Sequence, residues 1–137
     1  MSPPLTFFAT NSRRRLKLPN LDPVGEIDYE GRLTHAFTAH PKIDARTGEL
    51  ITYGYSVMTK PYCSVSLINR EGELVHTTDV DIPKPVMMHD CAITSNHTVI
   101  MDLPAVFDFA RMAEGKSILN FEPVSYTHLT LPTILLV

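Results

Sequence analysis

At 137 residues, with 44% hydrophobic and 20% charged side chains, the chain has the size of one ordinary domain and a composition in the soluble globular range. A formal charge of −3 offers no electrostatic footprint for nucleic acid, and the one basic run, Arg13-Arg14-Arg15-Leu16-Lys17, is short. No run of eighteen apolar residues exists, which excludes a membrane-spanning helix on length.

The first residues read as irregular. Leu5-Thr6-Phe7-Phe8-Ala9 precedes the arginines, whereas a secretory signal carries its positive charge before a longer apolar segment. Pro3, Pro4 and Pro19 oppose an amphipathic presequence helix. An irregular or misassigned segment is therefore expected over residues 1–24.

From Leu50 to Asp102 the chain reads as β-structure. Ile51-Thr52-Tyr53-Gly54-Tyr55-Ser56-Val57 is β-branched and aromatic, and Pro61 closes it, since proline cannot donate to a sheet ladder. Tyr62–Ile68 and Glu73–Val80 flank Asn69-Arg70-Glu71-Gly72, a hairpin in which the glycine supplies a positive φ. Ile82-Pro83-Lys84-Pro85 must break the sheet. Asp90–Thr94 and His97–Asp102 are two further short strands joined at Ser95-Asn96. Only Ala105–Ala113 has helical spacing, with Val106, Phe109 and Ala110 following Pro104, and a loop is the alternative.

Short strands about ten residues apart indicate a sandwich, barrel or propeller. His40 and His89 lie 49 residues apart, close to the roughly 40–50 residues of one propeller blade, so they can occupy equivalent places on neighbouring inner strands, facing the central axis. Spacing alone does not make them ligands, because a lone histidine in a β-rich domain is more often a surface or satisfied core residue. His35 reads as structural, with a supporting or substrate-channel role as the alternative; His76 and His97 read as solvent-facing. Asp79, Asp81, Asp90 and Asp102 lack the spacing of a calcium loop and read as surface or turn residues. Cys63 and Cys91, 28 residues apart, suggest neither a zinc pair nor a disulfide framework and read as reduced, buried thiols, which fits an intracellular protein.

Thr38-Ala39-His40-Pro41-Lys42-Ile43-Asp44 and Met87-Met88-His89-Asp90-Cys91-Ala92-Ile93-Thr94 resemble the segments bearing the first two iron-binding histidines of the carotenoid cleavage oxygenases. The resemblance continues through Gly25-Glu26-Ile27-Asp28-Tyr29, Arg32–Phe37, Thr47-Gly48-Glu49-Leu50 and Met101-Asp102-Leu103-Pro104, about two-thirds of the chain. Cys91 departs from it, standing where relatives often carry an aromatic residue. The resemblance implies a mainly β chain forming roughly two blades of a seven-bladed β-propeller over residues 25–122. It also implies Fe(II) held by His40, His89 and two histidines outside this chain, each supported through its other ring nitrogen, typically by glutamate. No catalytic residue beyond the ligands is assigned. The implied partners are dioxygen and a carotenoid, apocarotenoid or stilbene, whose conjugated double bond is cut into two carbonyl products; nucleic acid is not implied, and peripheral membrane contact of the full-length enzyme is compatible with it. The alternative is a noncatalytic carotenoid- or retinoid-binding relative. Cytoplasm and plastid are not separated.

Family-like sequence ends near Glu122. Val124–Thr133 resembles the translation of a transposase-type sequencing adapter, GTC TCT TAT ACA CAT CTG ACG CTG CCG ACG. Residues 123–137 are accordingly expected to be non-native, with a genuine apolar C-terminal strand as the alternative, and His128 is not promoted to a ligand.

Overall fold

A computed structural model describes residues 13–122 and 127–132. The body is built on a four-stranded antiparallel sheet of β3 (Lys42–Ile43), β4 (Leu50–Tyr55), β5 (Cys63–Ile68) and β6 (Leu74–Val80), in that order. The β5–β6 hairpin turns at Asn69, whose carbonyl accepts from Gly72 N–H at 3.0 Å and whose side chain accepts from Glu73 N–H at 2.8 Å. Gly72 takes φ +86°, the conformation expected of it.

A second sheet pairs β7 (Ala92–Ile93) with β8 (His97–Asp102), and β11 (Thr127–Pro132) lies along the other side of β8. Thr94 makes the β7–β8 turn: its N–H donates to the His97 carbonyl at 2.8 Å, and its hydroxyl accepts from His97 N–H at 3.0 Å. The expected strand pair at 90–102 is thus present, with its first strand shorter.

Two segments differ from the sequence expectation. Arg13–Lys17 (β1) and Asp22–Ile27 (β2) pair as a hairpin where an irregular start was expected. The segment 105–113, read as helical or as a loop, is a strand, Ala105–Phe107 (β9), followed by a short 3₁₀ helix, Phe109–Glu114. β9 pairs with Leu119–Phe121 (β10), and Val106 bridges Val86, so non-local pairing overrides the helical spacing. Asp108 ends the strand by capping the helix, its carboxylate accepting from Ala110 N–H at 3.1 Å.

The period of two decides where the core sits. Ile51, Tyr53, Cys63, Val65 and Leu67 face a cluster completed by Ile82, Val86, Met88, Cys91, Ile100 and Val106. Each such side chain contributes about 1.5–3 kcal/mol by leaving water. The opposite face carries three cross-strand rows, Leu50–Ile68–Leu74, Thr52–Ser66–Thr77 and Gly54–Ser64–Asp79. Residues Leu33–His40 form a strap over it: Leu33 packs with Ile68 and Leu74, and Thr38 N–H donates to the Tyr53 carbonyl at 2.7 Å. Gly54 is required under this strap, because a Cβ there would fall inside the backbone of Ala36.

Gly54→Ala is therefore expected to destabilise the chain by about 3 kcal/mol, the upper end for forced overpacking. Gly72→Ala, whose Cβ meets nothing within 4 Å, should cost only the left-handed backbone penalty of about 1–2 kcal/mol. Urea unfolding of the two variants checks the order.

Asp102, expected at the surface, is 8% exposed at the end of β8, and burial raises its carboxyl above the usual range. A raised folded-state value means that its contribution favours folding below the unfolded value and is lost as pH rises through the folded one. Asp102→Asn should consequently gain stability on the parent between about pH 4 and neutrality, measured by urea midpoints across that window.

Candidate metal centre

His40 and His89 are carried by lead-in loops rather than by strands. His40 stands just before β3, and His89 just before β7, so each precedes the first strand of its sheet. Places on neighbouring inner strands were expected; the two histidines stand instead in the loops that enter the two sheets. Thr38, which is buried, fixes the first loop by accepting His40 N–H on its hydroxyl at 3.0 Å. Met88, also buried, anchors the second in the main core beside the exposed His89.

The two rings meet. Their Nε2 atoms are 3.1 Å apart, with ring centroids at 4.8 Å and planes tilted by 54°. Without an ion, one Nε2–H donates to the other Nε2. Two imidazoles bound at right angles to one first-row ion, with bonds of about 2.1 Å, put their nitrogens about 3.0 Å apart. The observed spacing fits that arrangement with little movement, and imidazole is a suitable donor for iron. Among the described residues no group of three His, Cys, Asp or Glu side chains forms a metal cluster, so the pair supplies two donors.

An ion pair that sequence reasoning missed joins the same two loops. Lys42 Nζ lies 2.7 Å from an Asp90 carboxylate oxygen, and both side chains are partly exposed. The bond to Lys42 holds Asp90 below the usual carboxylate range, helped by Cys91 N–H, which donates to Asp90 at 2.7 Å. Lys42 is raised in turn by Asp90. Such an exposed pair, screened by solvent, adds little stability. Its effect is geometric: Lys42 is two residues from His40, Asp90 adjoins His89, and the contact ties the two approaches together. An ion pair 48 residues apart has no local sequence signature.

Of the other candidates, His35 is half-buried against β5, with Nε2 at 2.6 Å from the Ser66 hydroxyl. His97 is exposed, as expected; His76 is half-buried on β6 rather than fully solvent-facing. Asp79 accepts the Ser64 hydroxyl at 2.7 Å, and Asp81 is exposed. The side chain of His128 lies outside the described residues, and its backbone pairs with Met101. Tyr53 is buried beneath the first loop, and burial pushes its phenol up to about 12.

Both thiols are buried, as expected, and burial pushes Cys63 up to about 12 and Cys91 up to about 11. Cys91 fills its place in the core, so its departure from the family pattern leaves the His89 loop anchored. At pH 8 the thiolate fraction is on the order of 10⁻³ or less. Iodoacetamide should therefore leave the folded chain unmodified while labelling both cysteines promptly in urea, a contrast read by intact mass.

The family described as "Retinal pigment epithelial membrane protein" matches residues 5–131. Carotenoid 9,10(9',10')-cleavage dioxygenase 1 of Arabidopsis thaliana is 46% identical over 105 residues, 76% of this chain and 19% of that protein. The Crocus sativus carotenoid 9,10(9',10')-cleavage dioxygenase is 43% identical over 104 residues, 75% of this chain and 19% of that protein. Among solved structures, the Pseudomonas brassicacearum lignostilbene dioxygenase superposes with a TM-score of 0.75 at 28% identity, covering 87% of this chain and 26% of that one. A Synechocystis apocarotenoid oxygenase variant gives 0.68 at 18% identity, over 91% of this chain and 29% of that one. The chain spans about a fifth of the length of the curated relatives it matches.

Proposed function

We propose, because this chain belongs to the retinal pigment epithelial membrane protein (carotenoid oxygenase) family, that it is part of a non-haem Fe(II) dioxygenase. The reaction is cleavage of a conjugated carbon–carbon double bond in a carotenoid, apocarotenoid or stilbene. One dioxygen is consumed, and one of its atoms enters each of the two carbonyl products. The observation that carries this reading is the His40–His89 contact: two imidazole nitrogens 3.1 Å apart, from residues 49 apart, on loops that each enter a separate sheet.

His40 and His89 would hold the ion through Nε2, and bound iron supplies activation of dioxygen toward the double bond. The chain's own part is to bring the two Nε2 atoms within reach of one ion. Neutral imidazoles bring no negative charge, so the dipositive charge is left uncompensated by this pair. Lys42 and Asp90 cancel each other beside the centre and leave its local charge to the ion.

Two donors do not enforce the geometry of a full ligand set. The 137-residue chain alone is expected to bind ferrous iron weakly and to yield no aldehyde from a carotenoid under oxygen. In the longer protein, His40→Ala or His89→Ala should lower iron content and cut oxygen-dependent cleavage by about a hundredfold or more, since losing a ligand costs at least as much as losing its outer partner. Iron analysis and chromatography of the carbonyl products measure both. A His40→Ala enzyme with parental iron and parental turnover would sink the assignment.

A further inference from the structure

We propose that His35 is a positioning residue of the two-histidine centre, fastening the strap that carries His40 to the sheet through Ser66 and Thr77. The inference rests on the reading of His40 and His89 as a pair, and it concerns how their contact is maintained.

The hydrogen-bond chain has a direction set by one carbonyl. His35 Nδ1 lies 2.5 Å from the Ala36 carbonyl oxygen, which can only accept, so Nδ1 carries the proton. In the neutral ring Nε2 then accepts, and the Ser66 hydroxyl at 2.6 Å donates to it. The Ser66 oxygen is free to accept from the Thr77 hydroxyl at 2.7 Å. Three groups on the strap, β5 and β6 are thereby linked in one line. Ser66 is wholly buried, so breaking the line leaves a hydroxyl without water to replace its partner.

The strap has little freedom between this fastening and His40. Ala36 is pressed onto Gly54, Thr38 N–H is held by the Tyr53 carbonyl, and the Thr38 hydroxyl holds His40 N–H. His35 is five residues from His40 and sits where the chain would otherwise lift from the polar row of the sheet. The exposed His40 ring has no core packing of its own, so its meeting with His89 depends on the path of this backbone.

The test uses the 137-residue chain, first without metal. A nuclear Overhauser contact between the His40 and His89 ring protons should be present in the parent. It should fall at least threefold in His35→Phe, which keeps the bulk of the ring, and in Ser66→Ala, which removes a single hydroxyl. The double variant should lose no more than either alone. His35→Gln, whose amide can reach Ser66, should restore most of the contact, whereas the shorter His35→Asn should not. In parallel, Co²⁺ affinity followed by visible absorption should drop about three- to tenfold in the two variants, below the loss typical of a partner bonded directly to a ligand.

A purely structural role would lower the urea midpoint and leave the ring contact of the folded chain intact; that result, in Ser66→Ala alone if His35→Phe fails to fold, overturns the proposal. Should His40→Ala and His89→Ala bind Co²⁺ as well as the parent, the metal reading fails. The metal-free ring contact still decides the role of His35.

Discussion

All six residues of Cys63–Ile68 are buried, and a strand in a four-stranded sheet reaches that state only when both faces of the sheet are covered. One face needs no special provision, because Cys63, Val65 and Leu67 enter the apolar cluster. The other presents Ser64, Ser66 and Ile68, two hydroxyls and one apolar group. Burying it unpaired would cost about 1–3 kcal/mol per hydroxyl. The Leu33–His40 strap resolves this with a matched order of residues: Leu33 covers the apolar row, His35 bonds the hydroxyl row, and Ala36 lies on the glycine that leaves it room. Asp79 satisfies Ser64 from within the sheet. The path that closes the sheet is also the path that delivers His40, so stability of the sheet and placement of the histidine share one set of contacts.

The second histidine is delivered by the opposite face. Met88 and Cys91 enter the main cluster with Ile82 and Val86, and His89 stands exposed between them. The ring pair is thus a junction between two separately anchored loops, one resting on the hydroxyl face and one rooted in the apolar core. Lys42 and Asp90 repeat the junction a few residues away. Neither contact contributes much stability in water. Each narrows the relative positions of loops already fixed elsewhere, which is how weak exposed interactions can matter to geometry.

Much of this was legible in the sequence where the cause was local. The hairpin around Asn69-Arg70-Glu71-Gly72 was readable because β-rich runs flank a turn that needs a glycine, and the strands fall within a residue of expectation. His97–Asp102 was equally clear. Where the cause was distant the reading failed. Val106 has helical neighbours in sequence but pairs through Asn120 and Val86. β3 is two residues long and leaves no pattern. The β1–β2 hairpin sits among prolines and arginines that suggested no order, and much of it is exposed. His40 and His89 were singled out by family resemblance together with a blade-length spacing; composition and periodicity alone would have left them among six histidines. His35 was read as structural, with a supporting or substrate-channel role as the alternative, and its bond to Ser66 agrees with that reading, though a bond to a serine 31 residues away carries no mark in sequence.

The geometry of the pair also explains why two histidines can be prepared by one piece of chain while a catalytic centre needs more. Nitrogens 3.1 Å apart suit adjacent positions on one ion, and the loops that bear them are set by the sheet and the core, so little ordering remains for this pair when an ion arrives. Two adjacent bonds nevertheless define only a plane and leave the ion's other directions open. Those directions must be restricted by donors on other segments, and relatives roughly four times the length of this chain have the remaining sequence in which to carry them. The division follows from the fold: each of the two sheets is entered by one loop that brings one histidine to the meeting point, so a further donor needs a further segment.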